Sequence, residues 1–324
     1  MTTATPRPAP TGVLYVNLGS PAAPTPAAVR AFLDEFLGDP LVVDVNPVLW
    51  FLLRKLVILP LRAPKSAALY RAIWTEEGSP LVVHSRRFAA GLARELGAGF
   101  RVEFAMRYGA PSIAAGLAAL VRAGCARVVL LTAFPQASRT TTGTIERAVA
   151  RALAELARPP ELVTVPPYHS DPGYIAALAA SVREAGAQAA PLVLSFHGLP
   201  VRYVEAGDPY RDHCEATARA LAEALGRAPG TWTLAYQSRF GREPWLEPDV
   251  TGVAPPLAAG GQRVLVAAPS FTTDCLETLE ELGQRLREQC AEQGGELVLA
   301  PCLNERPDWI AAAAGLVRRA ALGP

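Results

Sequence analysis

The sequence predicts an α/β protein made of two doubly wound parallel sheets, and three observations predict it. First, short β-branched apolar runs recur along the chain: VLYVNL at 13–18, ARVVLLTAF at 126–134, LVTVP at 162–166, PLVLSF at 191–196, TLAYQ at 233–237 and RVLVAAP at 263–269. Runs that are apolar on both sides suit strands buried on both faces of a parallel sheet. Second, helical patterns lie between them, at 26–36, 66–74, 85–96, 112–122, 144–157, 171–185, 212–225, 274–290 and 308–321. Several open on Asp or Ser, whose side chains can satisfy the free amides of a first turn. Third, 324 residues exceed one ordinary core, and Arg158-Pro-Pro breaks the pattern near its middle. The expected division is therefore 1–158 and 159–302, with strand spacing too uneven for an eight-stranded barrel.

Composition narrows the partners. Half the residues are hydrophobic, and 31 basic against 30 acidic residues leave a formal charge of +1. No net field draws the chain to nucleic acid or to an anionic surface, so any ligand must be recognised locally. The opening MTTATPRPAP is polar, proline-rich and without the apolar core of a secretion signal, which reads as a short disordered leader and a cytoplasmic location. Five scattered cysteines, Cys125, Cys214, Cys275, Cys290 and Cys302, show no CxxC spacing. Their odd number argues against a complete disulfide framework and for a reducing compartment.

The longest apolar stretch is 48–61, from Val48 through Trp50 and Phe51 to Leu61. Arg54 and Lys55 divide it, and neither half approaches the about 18 residues of a membrane span. On a helical wheel its charge occupies one narrow sector, which leaves two readings: a buried helix, the commoner fate, or a greasy exposed lip.

In open α/β sheets ligands bind beyond the carboxyl ends of the strands. That directs attention to NLGSP after the first run, FPQASRTTTG after ARVVLLTAF, and HGLP after PLVLSF. No G-x-G-x-x-G follows a strand and no G-x-x-x-x-G-K-[ST] occurs, which removes the usual nucleotide fingerprints. His197 follows an apolar strand directly and precedes Gly198, so it stands where a working imidazole would; a hydrogen-bonded core histidine is the plainer alternative. Asp274, Glu277 and Glu281 are three and four apart near a helix start, which puts three carboxylates on one face. A solvated acidic stripe is the plainer alternative there. An imidazole and carboxylates suit ferrous iron and can also take protons near neutral pH, so the residues alone point to a metal-assisted or acid–base enzyme.

Seven segments, NLGSP (17–21), IWTEEGSPL (73–81), MRYGAP (106–111), FPQASRTTTG (134–143), SFHGLP (195–200), YQSRFGREPWLEP (236–248) and SFTTDCLETLEEL (270–282), together resemble the ferrochelatase family nearly end to end. SFHGLP and ETLEEL are the most specific. The resemblance implies two similar Rossmann-like domains with a porphyrin cleft between them, and a last helix, within 303–324, that returns to the first domain. It implies insertion of Fe²⁺ into protoporphyrin with release of two protons. His197 and Glu277 would be the catalytic pair and the metal contacts, and Asp274 and Glu281 would continue a carboxylate path for protons or iron. A flat ring hides its pyrrole lone pairs, so binding it ruffled would expose them. Leu18, Met106, Arg107, Tyr108, Trp245 and Phe271 would bind the ring. The resemblance also turns 48–61 toward peripheral membrane contact, since the family's pocket has a hydrophobic lip.

The chain departs from the family in places. It reads FPQA where tyrosine-rich YPQY is common, so Phe134 and Ala137 lack hydroxyls, and Cys275 stands where some members carry histidine. No cysteine follows Cys302, so no iron–sulfur cluster is expected and no other cofactor is implied, iron being a substrate. Alternatives are a coproporphyrin substrate, another tetrapyrrole with another metal, or a two-lobed porphyrin or metal carrier that does no chemistry. The sequence leaves the oligomeric state open.

Overall fold

The computed structural model describes residues 9–323, so the expected leader lies mostly outside the described residues. Two four-stranded parallel sheets form, with strand orders β2-β1-β3-β4 and β6-β5-β7-β8. In the first, β1 (Thr11–Gly19) and β3 (Arg127–Thr132) lie inside, β2 (Phe100–Tyr108) and β4 (Glu161–Thr164) at the edges. In the second, β5 (Leu192–His197) and β7 (Arg263–Ala267) lie inside, β6 (Trp232–Gln237) and β8 (Glu296–Leu299) at the edges. The continuous apolar runs VLYVNL, ARVVLLTAF, PLVLSF and RVLVAAP are the four inner strands, as burial on both faces requires.

Two strands escape such a reading. FRVEFAMRY of β2 alternates apolar and charged residues because its edge position leaves one side partly exposed, and ELVL of β8 is only four residues long. The boundary also differs from the expected one. β4 pairs with β3 in parallel, Arg127 opposite Glu161, so Arg158-Pro-Pro is the turn into the last strand of the first sheet and the chain crosses over only after Thr164.

Helices cover both sheets: α1 (Pro26–Leu37), α2 (Pro47–Leu53), α3 (Leu59–Ile73), α4 (Pro80–Leu96), α5 (Ile113–Arg122), α6 (Thr142–Ala154), α7 (Pro172–Glu184), α8 (Val201–Glu205), α9 (Tyr210–Ala224), α10 (Ala254–Ala258), α11 (Arg287–Glu292) and α12 (Pro307–Leu322). A π-turn at Arg54–Ile58 joins α2 to α3 without a break. The expected α-helix over 274–290 is instead a π-helix over Glu277–Leu286 that runs into α11. The i→i+5 bonding of a π-helix widens each turn, a form that recurs at functional sites.

The carboxyl ends of the two sheets turn toward each other. Tyr168 donates to the Thr132 carbonyl (2.8 Å), Thr272 to the Ala133 carbonyl (2.9 Å) and Gln136 to Thr217 (2.8 Å). These bonds join elements of both sheets through buried polar groups, each of which would be expensive to leave unpaired. On the far side α12 packs against α4 and α7. Its Trp309 is fully buried, with ring centroids 5.7 Å from Phe88, 5.7 Å from Tyr168 and 5.8 Å from Tyr174. Trp309→Ala is expected to lower unfolding free energy by about 3–5 kcal/mol. Urea denaturation measures it, and a change under about 1 kcal/mol would show that α12 is not needed to hold the core.

Candidate active site

β5 carries the apolar run LVLSF through the core and releases His197, partly exposed, at its carboxyl end. The main-chain amide of His197 donates to Ser270 Oγ (3.1 Å), and its Nδ1 lies 2.7 Å from the Gly198 carbonyl. A carbonyl can only accept, so in the neutral ring Nδ1 holds the proton and Nε2 keeps a free lone pair. That is the form needed in a base or a metal ligand. Gly198 has no room for a side chain, since a Cβ would stand 2.8 Å from the Gln237 carbonyl and 3.0 Å from Trp245 Cε3. Trp245 is thereby laid beside the histidine turn, and Phe240 packs on it at 4.9 Å between centroids.

The opposite wall comes from β6 and the π-helix. His197 pairs with Gln237 across the β5–β6 register, and Gln237 Nε2 donates to the Glu277 carbonyl at 3.0 Å. One side chain thus ties the histidine's strand to the first turn of the π-helix. Glu277 is partly exposed, and its charge reaches Tyr70 of α3. Burial first, then Glu277 and Cys275, push the Tyr70 phenol well above its ordinary range. Tyr70 was not singled out by sequence. The available signal was helical spacing, because Ala63, Ala67 and Tyr70 fall on one stripe of α3.

The remaining carboxylates are occupied. Asp274 accepts from Asn304 Nδ2 (2.6 Å) and Thr278 Oγ1 (2.9 Å). Glu281 accepts from the Ser238 amide (2.8 Å), the Ser238 hydroxyl (2.6 Å) and Gln237 Nε2 (3.3 Å). Burial and then the Glu277 charge drive the Cys275 thiol upward, and its side chain is buried beside Met106 and Leu81. Among the described residues, no three His, Cys, Asp or Glu side chains gather into a metal cage.

The expected ring-binding residues divide into two groups. Met106 and Phe271 meet in one cluster with Leu81 and Cys275, which joins the two sheets, and Leu18 is partly exposed at the end of β1. There Gly19, at φ +124°, passes so close to β2 that a Cβ would be 1.9 Å from the Tyr108 carbonyl oxygen. Arg107 and Tyr108 differ from simple wall contacts. Tyr108 is fully buried, and both side chains bond to Asp39, which also receives Arg147 and the Leu41 amide. Burial alone would raise the Asp39 carboxyl, but the Leu41 amide, Arg107, Arg147 and Tyr108 outweigh it and hold the carboxyl below its usual range.

Comparison with known proteins decides what this arrangement belongs to. The ferrochelatase family model matches residues 10–321. The ferrochelatase of Azoarcus sp. strain BH72 is 50% identical over 315 residues, covering 95% of this chain and 87% of that protein. The ferrochelatase of Xylella fastidiosa strain M12 is 43% identical over 316 residues, covering 96% and 98%. The chain belongs to the ferrochelatase family. A fold likeness extends further, to the sirohydrochlorin chelatase SirB of Bacillus subtilis subspecies spizizenii solved with cobalt, at TM-score 0.59 and 14% identity over 97% of each chain. In this ferrochelatase-family chain the two sheets are thus those of a chelatase fold, and the His197 turn and the π-helix stand at their facing edges.

The Asp39 cluster supplies a test. A carboxyl held low in the folded state stabilises the protein above its unfolded value, about pH 4, and that contribution fades as pH falls through the folded value. Asp39→Asn is expected to cost about 3–5 kcal/mol at pH 7 by leaving two guanidinium groups uncompensated. The gap from wild type should narrow below about pH 4, and a gap independent of pH between 7 and 3 would rule out the charge as its source.

Proposed function

We propose that this protein inserts ferrous iron into protoporphyrin to form protohaem, with His197 and Glu277 as the groups that act at the ring centre. The observation that carries the reading is the fixed tautomer of His197: its Nδ1–H is held on the Gly198 carbonyl, and Nε2 is left to accept. Two pyrrole N–H bonds break and four Fe–N bonds form, so Fe²⁺ takes the place of two protons and charge is conserved. Nε2 of His197 accepts a pyrrole proton or touches the incoming metal, and the Glu277 carboxylate, held by its own backbone bond to Gln237, takes the complementary part. Asp274 lies three residues before Glu277, bonded to Asn304 and Thr278. Leu18 and Phe271, both partly exposed, supply apolar contacts to the ring, Met106 and Trp245 back that surface from buried positions, and Arg107 with Tyr108 stiffens the wall behind it through Asp39.

Membrane contact is the second part of the proposal. Of the two readings of 48–61 the exposed one describes α2: none of its residues is buried, and Val48, Leu49 and Leu56 are 71%, 68% and 71% exposed, whereas Leu59 further along is buried. Arg54 and Lys55 turn inward to Asp34, and Trp50 donates to the Leu37 carbonyl (2.7 Å), which leaves the apolar side outward. An exposed apolar patch of this kind suits a bilayer surface. No helix of the described residues is long and apolar enough to cross a membrane.

The test is anaerobic incubation of the protein with Fe²⁺ and either porphyrin, followed by product absorbance. Protohaem should form, and His197→Ala should lower turnover about 10²- to 10⁴-fold while porphyrin binding persists. Turnover that survives the substitution would remove the histidine from the reaction, and binding without turnover in the wild type would mark a carrier. For the lip, replacing Leu49, Phe51 and Leu56 together by Ser should weaken binding to phosphatidylcholine–phosphatidylglycerol vesicles at least about tenfold. Unchanged sedimentation with the vesicles would end the membrane reading.

A further inference from the structure

Among the carboxylates of the π-helix, Glu281 is the most completely bonded, and all of its donors come from the adjoining strand end. An ionised carboxylate offers about four acceptor sites. Ser238 N–H, Ser238 O–H and Gln237 Nε2–H fill three of them, at 2.8, 2.6 and 3.3 Å. Ser238 is held at φ +63°, a conformation that glycine adopts readily and serine rarely. Glycine there would relieve the backbone, but it would lose the hydroxyl that makes the shortest of the three bonds. Gln237 is equally committed. Its Oε1 accepts from Ser195 (2.8 Å), its Nε2 also reaches the Glu277 carbonyl (3.0 Å), and its main-chain carbonyl accepts from Gly198 (2.7 Å).

The geometry points to Gln237 and Ser238 as a clamp that closes on Glu281, making Glu281 a positioning residue for Glu277 and not a carrier of iron or protons. To pass a metal ion or a proton along the helix, Glu281 would have to surrender its charge-assisted bonds from the Ser238 amide and hydroxyl, whereas Gln237 Nε2 would keep the Glu277 carbonyl. Held as it is, it pins the second turn of the π-helix to the end of β6, while the Gln237 amide pins the first. Between these two points the Glu277 carboxylate is fixed relative to His197, because β5 and β6 share a register at His197 and Gln237. The inference rests on the iron-insertion reading.

The experiment compares Glu281→Gln, Glu281→Ala and Ser238→Gly in the full chain, with kcat, KM for each substrate and melting temperature measured under anaerobic turnover. A carboxamide keeps an acceptor for the Ser238 amide and a donor for its hydroxyl and gives up only the longest bond, from Gln237 Nε2, which keeps the Glu277 carbonyl, so Glu281→Gln should retain kcat within about threefold of wild type. Glu281→Ala should lower kcat about tenfold to a hundredfold by letting Glu277 drift, with KM for porphyrin unchanged. Ser238→Gly should melt no lower than wild type, since it removes the backbone strain, yet lose about tenfold in kcat. That combination separates a role at the site from a role in folding, and it stands even if Glu281→Ala does not fold. If Glu281→Gln falls as far as Glu281→Ala, the charge itself is needed and the clamp is overturned in favour of a carrier. Wild-type kcat in Ser238→Gly would overturn it as well. Absence of haem formation by the wild type would instead defeat the underlying reaction, a result visible before any variant is made.

Discussion

The site depends on one buried amide. Gln237 ends β6 opposite His197, accepts from Ser195 inside the sheet and donates to the backbone of Glu277 outside it. Its two functional groups face in opposite directions, and each has a partner, which is the condition under which a buried polar side chain specifies a geometry at little net expense. It works beside the Ser238–Glu281 bonds and the bond from the His197 amide to Ser270, and it is the one side chain that reaches the backbone of Glu277 itself. With it, an imidazole and a glutamate eighty positions apart in sequence belong to one rigid unit.

That unit is built on the second sheet, but it is tied to the first. Asn17 of β1 donates to Ser85 at 3.0 Å and to Thr273 at 3.3 Å, so the strand end carrying Leu18 is tied directly to the segment carrying Phe271 and Asp274. Tyr70 approaches Glu277 from α3, and Met106 reaches Cys275 and Phe271 from β2. The first sheet contributes apolar surface and one phenol, and the second contributes the titratable groups. Both layers thus present side chains at their carboxyl strand ends, the place where open α/β sheets bind ligands.

Much of this was legible in the sequence, and the parts that were not have physical causes. Inner strands announced themselves through continuous apolar runs, whereas β2 and β8 did not, because edge strands are half-exposed or short. His197 could be found because a histidine ending such a run, followed by glycine, has few other uses. Gln237 and Ser238 lay inside a recognisable segment, YQSRFG, yet nothing in their spacing tells a clamp from a turn, since the φ of Ser238 and the direction of the Gln237 amide are tertiary facts. The acidic row Asp274, Glu277 and Glu281 could be read from its spacing as one helix face, but the partners of each carboxylate could not. The structure distinguishes them by donors drawn from Asn304 and Ser238, residues 30 and 43 positions away. Arg107 and Tyr108 stood out in the MRYGAP segment, but their common partner Asp39 could not be paired with them from sequence, being 68 and 69 positions distant.

The segment from Asp39 to Leu61 shows why the lip is not simply a badly folded helix. Its base is fixed by Asp39 beneath two arginines, its middle by Tyr203, which donates to the Val42 carbonyl (3.0 Å), and by Asp44 on Arg139. Arg54 and Lys55 then hold the helix to Asp34, and Arg62 stands 5.6 Å above the Phe240 ring of the loop that carries Trp245. Burying an ion such as Asp39 costs free energy unless its partners are well placed, so anchors of this kind are an expensive way to support a surface that water would rather not touch. A helix under hydrophobic pressure alone would rotate its leucines inward and its arginine and lysine outward. Here the charges are held inward by specific partners and the leucines are kept in solvent beside the mouth of the cleft. Such an arrangement is stable in water only because the anchors outweigh the exposed apolar area, and it becomes favourable without them once that area is covered by something equally apolar.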